Sequence, residues 1–196
     1  VNDDLGGFGV VMNGYARRLR DFENALFFTL LTSAAGAGPT MGDSVALFHS
    51  THGNLGSATA ITVDSLGAGR AAMQKQASLD GVKLNLLPRF LLVSPDKLTL
   101  AEQYLTGISP SQPSNVNPFP GRLTAVSDAN LAGNPWYLWA DPSTIASALF
   151  GYLEGEPGPR VSVRQGHEIE GVDLRVGLDF AVTFAEHRGL WRNPGA

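Results

Sequence analysis

The sequence predicts an α+β fold in which a long helix lies along a long, narrow antiparallel sheet, both formed from the chain ends, with the middle inserted as a mixed α/β lobe. Three observations carry this. Leu5, Phe8, Met12, Tyr15, Leu19, Phe22, Leu26, Leu30 and Ser33 recur at steps of three or four, the spacing of one helix face. Val172, Leu174, Val176, Leu178, Phe180, Val182 and Phe184 alternate with Asp173, Arg175, Gly177, Asp179, Ala181, Thr183 and Ala185, the period of a half-buried strand. At about 1.5 Å per helical residue and about 3.3 Å per strand residue, the two runs have matching lengths of about 44 and 43 Å.

In the first run Arg17, Arg18, Arg20, Asp21 and Glu23 form the polar side, and Asp3 and Asp4 sit where carboxylates favour the positive helix end. Gly6, Gly7, Gly9 and Gly14 weaken the opening turns by about 1 kcal/mol each relative to alanine. Ala34 to Gly38 and Pro39 stop the helix. Thr40 to Gly56 reads as a loop with one brief ordered turn. A second helix starts at Asp64 or Ser65 as N-cap, with Leu66, Ala72, Met73 and Ala77 facing inward. After the Asp80-Gly81 turn, Arg89 to Val93 reads as a strand buried on both faces. Ser94-Pro95 opens a helix that ends near Leu105.

Thr106 to Gly121 carries four prolines and no period, so it reads as a long exposed loop. Leu123 to Val126 and Trp136 to Ala140 read as strands, and Pro142 to Leu149 as a short helical turn. Glu154 to Pro159 is a turn-rich joint, beyond which Val161 to Gln165 and the Glu170-Gly171 turn supply antiparallel neighbours for the long strand. Residues 1–56 and 152–196 are thereby grouped as one lobe and residues 57–151 as the other.

The chain has 196 residues, 43% of them apolar, enough for a real core. Its net charge of −4 and longest basic run, Arg17-Arg18, offer no electrostatic footprint for nucleic acid. Without cysteine there is neither a disulfide framework nor a thiolate metal site, in keeping with a reducing compartment. The apolar run from Ala25 to Ala35 covers 11 residues and falls short of the roughly 20 that cross a bilayer, so no membrane partner is expected. Val1 is not an initiator methionine, so the chain is read as a processed product or part of something longer.

Candidate chemistry is sparse. His49-Ser-Thr-His52 has a metal-like spacing, but zinc needs three or four ligands and the position after His49 is Ser50, not glutamate. Hydrogen bonding within the loop is the better reading. Gly42-Asp-Ser44 is similar to the nucleophile block of one esterase class, which makes a small serine hydrolase built on Asp43, Ser44 and His187 an alternative. The closing Asp-x-x-His is absent, since Phe184 stands three places before His187, and Asp43 and Ser44 read better as turn formers. Glu154, Glu156, Glu168 and Glu170 read as a solvated acidic turn. Trp136, Tyr137 and Trp139 read as strand residues that pack in a core or subunit interface. No catalytic, cofactor-binding or metal-ligating residue is assigned.

Several segments together resemble the major capsid proteins of tailed bacteriophages. They are Ala25-Leu-Phe-Phe-Thr-Leu-Leu-Thr-Ser33, Ala46-Leu-Phe-His-Ser-Thr-His-Gly-Asn54, Leu91-Leu-Val-Ser-Pro95, Val116-Asn-Pro-Phe119, Trp136-Tyr-Leu-Trp-Ala-Asp141, Tyr152-Leu-Glu-Gly-Glu156 and Arg188-Gly-Leu-Trp-Arg-Asn193. More narrowly they resemble Mu-like major head subunits encoded in fusion with a prohead protease. The resemblance implies the Hong Kong-97-type capsid fold, with 1–56 and 152–196 as peripheral P-domain and 57–151 as axial A-domain. The family's N-terminal arm and E-loop have no counterpart in this sequence.

The resemblance further implies a non-enzymatic subunit that assembles with itself into hexamers and pentamers. These form an icosahedral virion shell in the host bacterial cytoplasm, enclosing DNA without sequence-specific binding. Portal, scaffold, protease or decoration proteins are the implied further partners. It places Ser109 to Asn117 at the axial tip, more variable between pentamers and hexamers than Arg89 to Val93. An encapsulin-like compartment shell is the alternative within the same fold.

Overall fold

A computed structural model describes residues 7–106, 117–156, 158–165 and 172–196. Asp3, Asp4, all of Ser109 to Asn117 except Asn117, Glu168 and the Glu170-Gly171 turn lie outside them. The elements are α1 (Gly7–Leu31), α2 (Val63–Gln74), β1 (Pro88–Val93), α3 (Pro95–Leu105), β2 (Thr124–Ser127), β3 (Trp136–Ala140), β4 (Ala148–Tyr152), β5 (Arg160–Gln165), β6 (Val172–Gly177), β7 (Phe180–Phe184) and β8 (Leu190–Asn193). Among the described residues, no helix is long and apolar enough to cross a membrane. By internal packing the chain divides into two compact units, Val1–Phe27 with Phe150–Thr183 and Phe28–Leu149 with Phe184–Ala196. This division differs from the sequence grouping at residues 28–56 and 184–196, which pack with the inserted segment, and at Phe150 and Gly151, which fall in the smaller unit.

The larger unit is built on a four-stranded sheet in the order β2-β1-β3-β8. β1 runs parallel to β2, with α3 in the connection between them, and antiparallel to β3. Its nearly unbroken apolar run is that of a central strand. β8, absent from the sequence reading because four residues of mixed polarity carry no period, pairs antiparallel with β3. Leu91, Leu138 and Trp191 form a row across one face, and they share a buried cluster with Leu66 and Met73 of α2 and Ala101 of α3. On the next row, Leu92 and Tyr137 face the other way; the Phe48 ring lies 5.5 Å from Tyr137.

The caps refine the sequence reading. Thr62, not Asp64 or Ser65, is the N-cap of α2: its hydroxyl accepts from the Ser65 N–H while Ser65 Oγ accepts from the Thr62 N–H. Ser94 precedes Pro95 as expected, but its hydroxyl donates to the Gly133 carbonyl instead of capping α3. The helical turn expected over Pro142 to Leu149 is one turn only, with the Thr144 and Ile145 N–H groups on the Asp141 carbonyl, before the chain extends into β4.

In the smaller unit, α1 residues before Phe28 and strands β4 and β7 contribute an aromatic chain. The Phe27 ring lies 5.8 Å from Phe150, Phe150 lies 5.8 Å from Phe180, and Tyr152 lies 5.5 Å from Phe180. The Tyr152 hydroxyl donates to Glu23. The expected inward stripe on α1 is corrected at two places: Tyr15 and Phe22 are 45% and 55% exposed. The single long strand over 172–184 is also corrected. It breaks at Leu178 and Asp179, just after Gly177, so that β6 pairs with β5 and β7 with β4. Glycine and aspartate are poor strand residues, and the Asp179 carboxylate is engaged by Arg160, which also holds Glu156.

Two glycines of α2 separate helix propensity from packing. At Gly69 a Cβ would stand 2.6 Å from Leu138 Cδ1 and 2.9 Å from Trp191 Cε3, whereas at Gly67 it would meet nothing within 4 Å. Gly69→Ala is expected to destabilise by about 1–3 kcal/mol through overpacking. Gly67→Ala is expected to stabilise by up to about 1 kcal/mol. Urea unfolding of the two variants checks the opposite signs.

Candidate functional site

The residues singled out for chemistry gather around the loop that follows α1. This loop folds back on itself: the Met41 N–H donates to the Val45 carbonyl, Leu47 to Pro39 and Phe48 to Ala37. Leu47 and Phe48 are thereby buried at 0% and 2% exposure. Ser44 takes the left-handed conformation at φ 65°, and Asp43 Oδ1 accepts from the Val45 N–H, so both residues do form the turn.

The two histidines of His49-Ser-Thr-His52 have separate tasks. His49 Nδ1 accepts from the Thr51 N–H and caps a short 3₁₀ turn, Ser50–His52, which Gly53 ends at φ 64°. His52 is buried beneath it. Its Nδ1 lies 3.1 Å from the Leu47 carbonyl and its Nε2 lies 2.7 Å from Asp43 Oδ2. Since a carbonyl only accepts, Nδ1 carries a proton. On the open face of the His52 ring lies His187, stacked at 3.8 Å with an 11° tilt.

Asn54, fully buried, joins the two segments. Its Oδ1 accepts from the His49 N–H, and its Nδ2 donates to the Leu47 carbonyl at 2.8 Å and the His187 carbonyl at 3.4 Å. Asp43 and His187 are thus brought together as the hydrolase reading requires, but with His52 between them. Among the described residues no hydrogen bond links Ser44 to either histidine, and no group of three His, Asp or Glu side chains is arranged to hold a metal.

Electrostatics set the character of the cluster. The His52 hydrogen bond, followed by that from the Val45 N–H, lowers the Asp43 carboxyl below its ordinary range. His187 is also lowered, first by burial and next by the charge of His52. Arg188 acts in the same direction, while Glu186 and Asp43 oppose it. The cluster favours a neutral His187 against its neighbour and offers no activated nucleophile.

Glu156 pairs with Arg160, while Glu154 is exposed; Glu168 and Glu170 lie outside the described residues. Trp136 is buried 5.2 Å from Trp191, with its indole N–H donating to the Thr59 carbonyl. Tyr137 is buried, which raises its hydroxyl pKa, and Trp139 lies 6.5 Å from Phe184. All three aromatic residues pack within the unit. The His52–His187 stack was invisible in sequence because 134 positions separate its members; Asn54 gave no signal beyond its place beside His52.

A folded-state pKa below the unfolded one means that the contribution of His187 is complete above the ordinary imidazole value and is lost as pH falls through its folded value. The melting temperature is expected to fall as pH drops from about 7.5 to about 5. In His187→Phe, which keeps a ring without a titrating nitrogen, this fall should be shallower. Equal slopes in the two proteins would remove His187 as the titrating group.

A family model described as phage capsid protein matches residues 1–193. No curated protein sequence matches the chain. Among solved structures, the chain is similar to a phage-related protein from Bordetella bronchiseptica RB50, with a TM-score of 0.59 and 13% identity, covering 98% of this chain and 66% of that one. It is also similar to an encapsulin from Synechococcus elongatus PCC 7942, with a TM-score of 0.48 and 13% identity, covering 86% of this chain and 62% of that one. The chain therefore spans just under two thirds of the length of these two proteins. At such identity the first likeness is one of fold, and it agrees with the mixed α+β architecture. The match across nearly every residue goes further: the chain belongs to the phage capsid protein family, whose role is structural and not enzymatic.

Proposed function

We propose that the chain is the repeating subunit of a phage head, assembling with itself as hexamers and pentamers into an icosahedral shell that encloses DNA. The observation that carries this is the family match over residues 1–193. The helix and strands of the smaller unit take the peripheral role, and the lobe around β1 to β3 takes the axial role. Mu-like head subunits are the narrower subgroup, assembled in the host cytoplasm with portal, scaffold, protease or decoration proteins as further partners.

Surface chemistry supports an assembling subunit. Tyr15, Phe22, Leu149, Phe150, Tyr152 and Leu153 are between 43% and 58% exposed, an unusual concentration of large apolar side chains in a short list of elements. Under assembly conditions the protein should form five- and six-chain capsomers and larger shells. Light scattering with electron microscopy checks this, and a protein that stays monomeric throughout would overturn the reading.

DNA is contained in this reading, not gripped. A chain of net charge −4 lacks the counterion-release drive of basic binders. Free subunits should leave a duplex fragment unshifted in a gel at moderate salt. Tight, salt-sensitive binding by isolated subunits would contradict it.

A further inference from the structure

The larger unit contains a pocket of about 490 Å³ at the entrance to β1, into which three arginines converge: Arg70 from α2, Arg89 from β1 and Arg122 from the segment before β2. The Arg70 guanidinium lies 4.9 Å from the centre of the Phe119 ring, which with Leu86 and Leu123 gives the pocket an apolar floor. Asp141 is the one carboxylate in the lining; its Oδ1 accepts from Ser143, and the charge of Arg89 also acts on it, leaving two of the three arginines uncompensated. No ion pair engages any of the three guanidiniums among the described residues. A concavity with a positive excess, on a chain of net charge −4, asks for an anionic group attached to an apolar one.

The chain has such a segment. Most of its described carboxylates are already engaged: Asp43 by His52, Glu156 and Asp179 by Arg160, Glu186 by Arg188, Glu23 by Tyr152, Asp80 by Ser78, Asp128 by Asn130 and Asp141 by Ser143. Asp64 and Asp96 lie in the first turns of α2 and α3, where the helix dipole holds them. Glu154 differs. It is exposed, has no ion pair among the described residues, and follows Leu153, which is 55% exposed, in a turn that Gly155 makes at φ 82°. A protruding turn can enter a concavity, whereas a side chain on the flank of a helix cannot.

We infer that the Leu153-Glu154 turn of one copy docks in the Arg70/Arg89/Arg122 pocket of a second copy, leucine on the apolar floor and carboxylate on the arginine fork. The inference rests on the assembling-subunit reading above. Turn and pocket are different parts of the same chain, so the contact is heterologous, the type that repeats around a ring when its rotation closes. A nucleic-acid backbone is the poorer occupant, because it needs a basic track along the surface, whereas these three arginines border a single concavity.

Charge reversal tests it in the complete protein. Arg89 and Arg122 are exposed, so Arg89→Glu with Arg122→Glu, and separately Glu154→Arg, should keep the melting temperature within about 2 °C. Each is expected to raise the concentration needed for assembly at least tenfold in sedimentation velocity, corresponding to about 1.4 kcal/mol per contact. The chain carrying all three substitutions should recover most of the loss. Reversed variants that assemble like the parent, or a combined variant that stays impaired, would overturn the contact while leaving self-assembly intact. Binding of a duplex DNA fragment by the parent that the arginine reversals abolish would also overturn it and assign the pocket to phosphate. A parent that does not assemble defeats the underlying reading, and the contact with it.

Discussion

The larger unit depends on one insertion: the Trp191 indole lies in a space that exists because Gly56 and Gly69 have no side chains. A Cβ at either position would collide with the ring. Trp191 also sits beside Leu138 in the β3–β8 ladder and 5.2 Å from Trp136, so one side chain ties together a loop, a helix and two strands. Backbone bonds fix the same junction, from the Gly56 N–H to the Arg192 carbonyl and from the Arg192 N–H to the Asn54 carbonyl. Residues near the chain end thus become part of the central sheet, which explains why 184–196 pack with the inserted segment.

The histidine cluster extends this junction on its polar side. Asn54 supplies the carbonyl bonded by Arg192 and places its own amide between the Leu47 and His187 carbonyls. A buried amide that meets its partners rigidifies the connection, because any rearrangement would strand several polar groups at once. His52 and His187 close the contact by stacking. In a structural protein such a knot holds two distant segments in one geometry. The similarity of Asp43, Ser44 and His187 to a hydrolase set came from residue types alone, and the intervening His52 ring removes it.

The smaller unit is held by different means. Phe27, Phe150, Phe180 and Tyr152 provide its aromatic contacts, and Arg160 bridges Glu156 and Asp179 where the long alternating run breaks. Exposed ion pairs of this kind contribute little stability each. The unit therefore relies on its aromatic residues, several of which remain partly open to solvent.

The sequence by itself determined the mixed α+β class, the long first helix, the central β1 strand and the β5–β6 pair, because each is written in a local period or in a cap beside a proline. It also carried the family resemblance through the order of its short motifs. The tertiary structure decided what no period encodes. Alternation across 172–184 describes which way side chains point, not which partner a strand takes, so the break at Leu178 and Asp179 followed from pairing with β5 on one side and β4 on the other. Periodicity likewise marked Tyr15 and Phe22 as one apolar face, but only the positions of the packed strands left them exposed. Strand β8 joins residues more than fifty positions apart, and the Trp191 insertion and the His52–His187 stack join residues more than a hundred apart; contact across such distances is a property of the folded chain, not of any window along it.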